Sequence, residues 1–165
     1  MQVLDRVELY LVKTPLPAPH APSWIPGTIR THVSMCIVRF ITDDGVEGWS
    51  GFPAAGRERA GLGDLLAGLF LGQDAGDIER LSERIQIMAA GGNFNWWLEP
   101  AFWDIKAKSA GLPLYKLLGG TDDRIRLYAS SGELRDPGAR REEAEARLAE
   151  GFDTMKIRVH DFDEA

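Results

Sequence analysis

Cysteine is nearly missing: Cys36 is the only one in 165 residues. No disulfide can form within the chain, which excludes a disulfide-stapled scaffold. The thiol lies in the apolar run Met35-Cys36-Ile37-Val38 with no cation beside it in sequence. It reads as a small buried hydrophobe, not as a nucleophile. A basic segment is missing too. Nineteen Lys and Arg are outnumbered by 25 Asp and Glu, the net charge is −6, and the acidic excess is spread along the chain. A phosphate-directed patch has no footprint here, so no nucleic-acid partner is expected. Long apolar runs are absent as well: stretches such as Leu65 to Leu71 are far too short to cross a bilayer. The N-terminus opens on a strand-like alternation with no basic and then apolar leader. The expectation is a cytoplasmic protein with no membrane partner. With 44% hydrophobic and 27% charged residues, the composition is that of a folded globular chain, neither disordered nor collagen-like.

What is present falls into three stretches. Residues 2–12 alternate Val3, Asp5, Val7, Leu9 and Leu11 with Leu4, Arg6, Glu8, Tyr10 and Val12, which predicts a half-buried strand. Pro15, Pro17, Pro19, Pro22 and Pro26 fill residues 13–31. Proline lacks a donor and fixes φ, so this stretch reads as a long extended loop, either functional or a surface connector. Val33, Ile37, Val38, Phe40 and Ile41 predict a second strand, Asp44-Gly45 a hairpin turn, and Val46 to Trp49 a third strand. Together they make a three-stranded antiparallel meander, followed by a second loop from Phe52 to Arg59.

From Ala60 the apolar period changes from 2 to 3.6. Leu62, Leu65, Leu66 and Leu69 form one helical face; Asp77 is placed to cap the next helix, with Ile78, Leu81, Ile85, Met88 and Ala89 on one face and Gly91-Gly92 as its stop. A third helix carries Leu98, Ala101, Phe102, Ile105 and Ser109, with Pro100 in its first turn, Gly111 at its end and Pro113 blocking continuation. Trp96, Trp97 and Trp103 read first as core packing and second as a ligand wall. In residues 124–165, Ile125, Leu127 and Ala129 predict a strand, Asp136-Pro137 a helix start, Gly151 a helix end, and Phe152 to His160 another strand. A crossover of that length makes the two strands parallel, with a right-handed connection.

The last strand carries the clearest chemical signal. Alternation puts Met155, Ile157 and Val159 on one side, toward a covering helix, and Lys156, Arg158 and His160 on the other. Both faces of a parallel α/β sheet are normally buried and apolar. Two cations and a histidine on one face are costly there unless paired or functional. At the C-terminal end of a barrel strand they would bind an anion or tune a proton transfer. The alternative is an incomplete sheet whose polar face meets water.

Asp43-Asp44-Gly45-Val46-Glu47-Gly48-Trp49 and, above all, the run from Ala101-Phe102-Trp103-Asp104 through Lys108, Gly111-Leu112-Pro113-Leu114-Tyr115 to Leu117-Leu118-Gly119-Gly120 resemble the enolase superfamily, in its mandelate racemase and muconate lactonizing enzyme branch. Arg126-Leu127-Tyr128-Ala129-Ser130 resembles the first barrel strand of that family, and Gly151-Phe152 leading to Met155-Lys156-Ile157-Arg158 the second. The resemblance implies an α+β capping domain over residues 1–123 and the start of a TIM-type (β/α) barrel over 124–165. It also implies a lyase or isomerase that removes a proton α to a carboxylate with Mg²⁺ as cofactor and a small carboxylate as substrate.

By position, the resemblance implies that His20, Ser23 and Trp24 of the proline-rich loop, together with the Phe52 to Arg59 loop, close over substrate. The family often carries Lys-x-Lys on the second barrel strand, the second Lys being a base. Lys156 matches the first position and Arg158 stands at the second. An arginine is effectively always protonated, so Arg158 suits an electrostatic clamp better than a base. The base would then come from later strands, which favours an acid-sugar dehydratase over a two-base racemase. Lys156 and Arg158 are the candidate catalytic residues; His20, Ser23, Trp24 and His160 are the candidate substrate-binding residues.

A TIM barrel takes roughly 250 residues. The chain therefore reads as a truncated, N-terminal piece of such an enzyme, inactive alone. The metal ligands implied by the family lie on later strands, and Glu133, Asp136, Asp161 and Asp163 have no spacing that makes them converge on Mg²⁺. No metal site and no cofactor are expected within these residues. The competing readings are a non-catalytic capping or interaction fragment and a small-molecule binding module using the proline-rich loop. An unfinished barrel edge would favour a homo-oligomer or pairing with the remaining barrel portion.

Overall fold

The computed structural model describes residues 1–54, 61–90 and 95–159. The Gly91-Gly92 stop, most of the Phe52 to Arg59 loop, and His160, Asp161 and Asp163 lie outside the described residues. The chain divides into two units: Met1–Thr14 with Ser34–Asp123, and Pro15–Val33 with Arg124–Ala165.

β1 (Leu4–His20), β2 (Arg30–Thr42) and β3 (Glu47–Pro53) form one sheet in the order β1-β2-β3; the end of β1 and the start of β2 belong to the second unit, the rest to the first. β2 and β3 are antiparallel, from Ile41 opposite Glu47 to Met35 opposite Pro53. The turn between them closes where Thr42 N–H donates to the Val46 carbonyl and Gly45 takes φ +85°, the left-handed region its missing Cβ permits.

β1 and β2 run further than the sequence reading places them. The segment read as a loop over 13–31 is β-strand as far as His20 and again from Arg30, leaving residues 21–29 as the tip. Pro15, Pro17 and Pro19 stand at alternate positions of that strand. Alternate residues direct their N–H groups to the same side of a strand, so the three missing donors share one side. β1 is an edge strand, where one side needs no ladder.

Helices α1 (Leu62–Phe70), α2 (Ile78–Ala90) and α3 (Glu99–Ser109) supply most of the buried faces read from the 3.6-residue period, but Leu65 and Ser109 are exposed, and Phe70 is the third buried residue of α1. Asp77 caps α2 by accepting from the Arg80 N–H at 3.2 Å. The core gathers Leu4, Val38, Phe40, Leu66, Phe70, Leu81, Trp97 and Phe102. The rings of Phe40, Phe70 and Phe102 meet at centroid distances of 4.8–5.6 Å. Cys36 is buried in the same cluster. Trp97 is buried and donates its indole N–H to Asn95 Oδ1, as the core-packing reading has it, whereas Trp96 is exposed and meets Phe52 edge-on. α3 ends at Gly111, whose φ is +63°, and the short helix α4 (Leu114–Leu117) follows Pro113.

In the second unit, β4 (Ala129–Ser130), α5 (Pro137–Ala149) and β5 (Met155–Lys156) form a strand–helix–strand, and the strands are parallel. Asp136 caps α5 by accepting from the N–H groups of Gly138 and Ala139, with Pro137 in the first turn. The regular pairing is two residues long, much shorter than the alternation at Ile125–Ala129 and Phe152–His160 predicts. A parallel pair gains its order from burial on both faces, and among the described residues these strands have no further neighbour in their sheet. Ile157 and Val159 are not covered by α5. They line an open cleft of about 520 Å³ with Leu134, Pro137 and Arg140.

Candidate functional site

The tip of the proline-rich hairpin and the end of β4 come together within the second unit. Beyond Ser130 the chain continues as Ser131, Gly132 and Glu133. The Ser131 N–H donates to the Lys156 carbonyl at 2.9 Å, which carries the parallel ladder one residue further. The next two residues receive the hairpin. Ser23 N–H donates to the Gly132 carbonyl at 3.1 Å, and Ala21 N–H donates to Glu133 Oε1 at 3.2 Å. His20 Nδ1 lies 3.2 Å from that same oxygen. Gly132 has to be small. A Cβ there would approach Trp24 to 3.1 Å and His20 Cε1 to 3.2 Å.

Trp24 joins the hairpin tip to β5. Its ring lies 6.2 Å from that of His20 and 5.3 Å from the Arg158 guanidinium carbon, a cation–π contact. On the other side of Glu133, Arg135 Nη2 donates to Oε2 at 2.9 Å and Arg140 Nη2 to the main-chain carbonyl at 2.7 Å. Arg140 also holds Ser131 Oγ and Glu143. A cleft of about 260 Å³ is lined by Pro19, His20, Ser131, Gly132, Glu133 and Arg135, among others. The donated hydrogen bonds, Ala21 first and then Arg135, hold the Glu133 carboxyl below the usual carboxylate range despite its partial burial.

The structure therefore brings together four of the residues singled out from sequence: His20, Ser23, Trp24 and Arg158. Ser23 enters through its main-chain N–H. Lys156 enters through its main-chain carbonyl, and it is exposed at the end of β5, two residues before Arg158. His160 lies outside the described residues. Sequence reasoning missed Gly132 and Arg135, and weighed Glu133 only as a metal ligand. The available signal was their place: they directly follow the first of two parallel strands, where α/β proteins put their sites. Among the described residues, no three His, Cys, Asp or Glu side chains converge where a metal ion could be held. The described residues thus do not fit a Mg²⁺ ion. Among the described residues no helix is long and apolar enough to cross a membrane.

D-Galactonate dehydratase of Xanthomonas oryzae pv. oryzae is 35% identical over 128 residues, 70% of this chain and 32% of that protein. D-Gluconate dehydratase of Thermoproteus tenax is 44% identical over 63 residues, 36% of this chain and 13% of that protein. The chain thus spans about a third of the length of the galactonate dehydratase it matches. In structure it resembles the substrate-liganded L-Ala-D/L-Glu epimerase of Bacillus subtilis, with a TM-score of 0.83 and 26% identity over 98% of this chain and 46% of the epimerase. A mandelate racemase/muconate lactonizing enzyme homologue from Roseovarius nubinhibens, complexed with magnesium, gives 0.79 and 26% over 96% and 45%. Residues 6–119 match the N-terminal domain of mandelate racemase / muconate lactonizing enzyme. The chain belongs to that family, within the enolase superfamily, and carries its α+β N-terminal domain.

Proposed function

We propose that residues 1–123 are the capping domain, and 124–165 the first strand–helix–strand of the barrel, of an enzyme that removes a proton α to a carboxylate and dehydrates acid sugars. The observation that carries this reading is the seat of Arg158. Its guanidinium lies against Trp24 at the hairpin tip, beyond the C-terminal end of a parallel strand. A permanently charged group there suits clamping a carboxylate or the enediolate formed from it. The aromatic face keeps it oriented, and His20 beside it offers a ring nitrogen to a sugar hydroxyl. The names of the two dehydratase relatives support the acid-sugar class over the dipeptides of the epimerases.

Because the described residues do not fit the magnesium that accompanies the Roseovarius homologue, no step is assigned to a metal here. A second reading has the 165 residues serving as a capping and interaction piece that needs the remaining barrel for turnover. The share of the galactonate dehydratase that they cover favours it.

Both readings are tested by joining the chain to the barrel remainder of that galactonate dehydratase and assaying acid sugars with Mg²⁺. Dehydration is expected from the joined protein, and Arg158→Met should lower it by roughly 10²–10³-fold. Unchanged kinetics in Arg158→Met would remove the clamp role. Turnover by the 165 residues alone would remove the second reading.

A further inference from the structure

We infer that Glu133 is the positioning residue of His20: it holds the imidazole with its proton on Nδ1 and leaves Nε2 as an acceptor for a substrate hydroxyl. A neutral imidazole has one donor and one acceptor nitrogen, and the partner of one decides the role of the other. The partner of Nδ1 is Glu133 Oε1 at 3.2 Å. An ionised carboxylate can only accept, so Nδ1 must donate. Glu133 is itself fixed at three oxygens, two of the carboxylate and one of the main chain. Ala21 N–H shares Oε1, Arg135 Nη2 holds Oε2, and Arg140 Nη2 holds the main-chain carbonyl. Gly132 lets the ring edge approach the main chain, and Trp24 closes the other side. The imidazole is thus fixed in place and in tautomer before any ligand arrives, the same division of labour by which a carboxylate orients a histidine in a catalytic triad. A free imidazole in water instead favours the proton on Nε2. The identity of the hydroxyl donor rests on the acid-sugar reading; the tautomer does not.

The test is ¹⁵N NMR of the histidine side chains in the 165-residue chain, at a pH where imidazoles are neutral. His20 should carry its proton on Nδ1. Glu133→Ala should return it to the Nε2-protonated form of free imidazole. Glu133→Gln should keep the native tautomer, because the amide oxygen still accepts. The Ser131 amide signal, whose N–H bonds the Lys156 carbonyl within the same unit, reports that each variant remains folded. D-Gluconate is then titrated as the probe. It should shift the Nε2 signal in the parent chain and in Glu133→Gln, with at least a tenfold weaker response in Glu133→Ala. An Nε2-protonated His20 in the parent chain, or an unchanged tautomer in folded Glu133→Ala, overturns the positioning role whatever D-gluconate does. The native tautomer with no Nε2 response to D-gluconate overturns the hydroxyl-accepting role, and with it the acid-sugar reading of this site.

Discussion

Gly48 has no room for a side chain. A Cβ there would lie 2.0 Å from the Ala101 carbonyl oxygen and 2.6 Å from Ile105 Cγ1. β3 and α3 meet across that contact, and the residues around it tie them together. Asp104 accepts from the Trp49 N–H at 3.0 Å, and Lys108 donates to the Glu47 carbonyl at 2.8 Å while pairing with Asp104. The most recognisable run of the sequence, from Trp103-Asp104 to Lys108, is therefore spent on joining helix to strand. Gly48→Ala should destabilise the fold by about 3 kcal/mol, the upper part of the usual range for overpacking. Urea denaturation checks it, and a loss below about 0.5 kcal/mol would show that α3 can shift aside. That run reveals the family and not the site: the residues at the site, such as Gly132 and Glu133, carry no comparable pattern in the sequence.

At the scale of elements, the proline-rich hairpin departs most from its sequence. Five prolines read as a loop, yet strand pairing reaches His20 on one side and resumes at Arg30 on the other. Propensity alone does not reveal that this proline-bearing segment lies on an edge strand, where one side needs no ladder. The hairpin tip is held to the end of β4 by the Glu133 carboxylate, which Arg135 and His20 face directly and Glu143 meets through Arg135. The docked state holds the Glu133 carboxyl below its ordinary value, so it binds fewer protons there than the undocked state does. Its contribution is complete above the ordinary glutamate range, about 4.3, and is lost as pH falls through the lowered value. The Ala21 amide and Trp24 indole NMR signals should stay native through weakly acidic pH and shift only below that range. Glu133→Gln should abolish the transition. A shift with its midpoint above the ordinary range would contradict the docking role.

At the scale of the whole molecule, the strand–helix–strand after Asp123 leaves several apolar side chains exposed. Ile125 is 85% exposed, Leu127 68% and Val159 73%, and among the described residues β4 and β5 form a sheet of two strands with no further neighbour. Apolar side chains beside open strand edges favour association. Sedimentation at rising concentration should show self-association of the 165 residues. Leu127→Lys combined with Val159→Lys should reduce it. A monomer throughout the concentration range would sink the prediction.

The sequence by itself determined the meander, the buried faces of the helices, the parallel strand–helix–strand and the family. Each depends on local periodicity, caps and turn glycines acting over a few residues. Only the tertiary structure decided that the proline-rich segment pairs as strand. It alone brought His20 and Trp24 to Glu133 and Arg158, residues more than a hundred positions away in sequence. The physical reason is that contacts across such separations depend on where the strands end and on what space a glycine leaves open. Neither is written into the periodicity of any one segment.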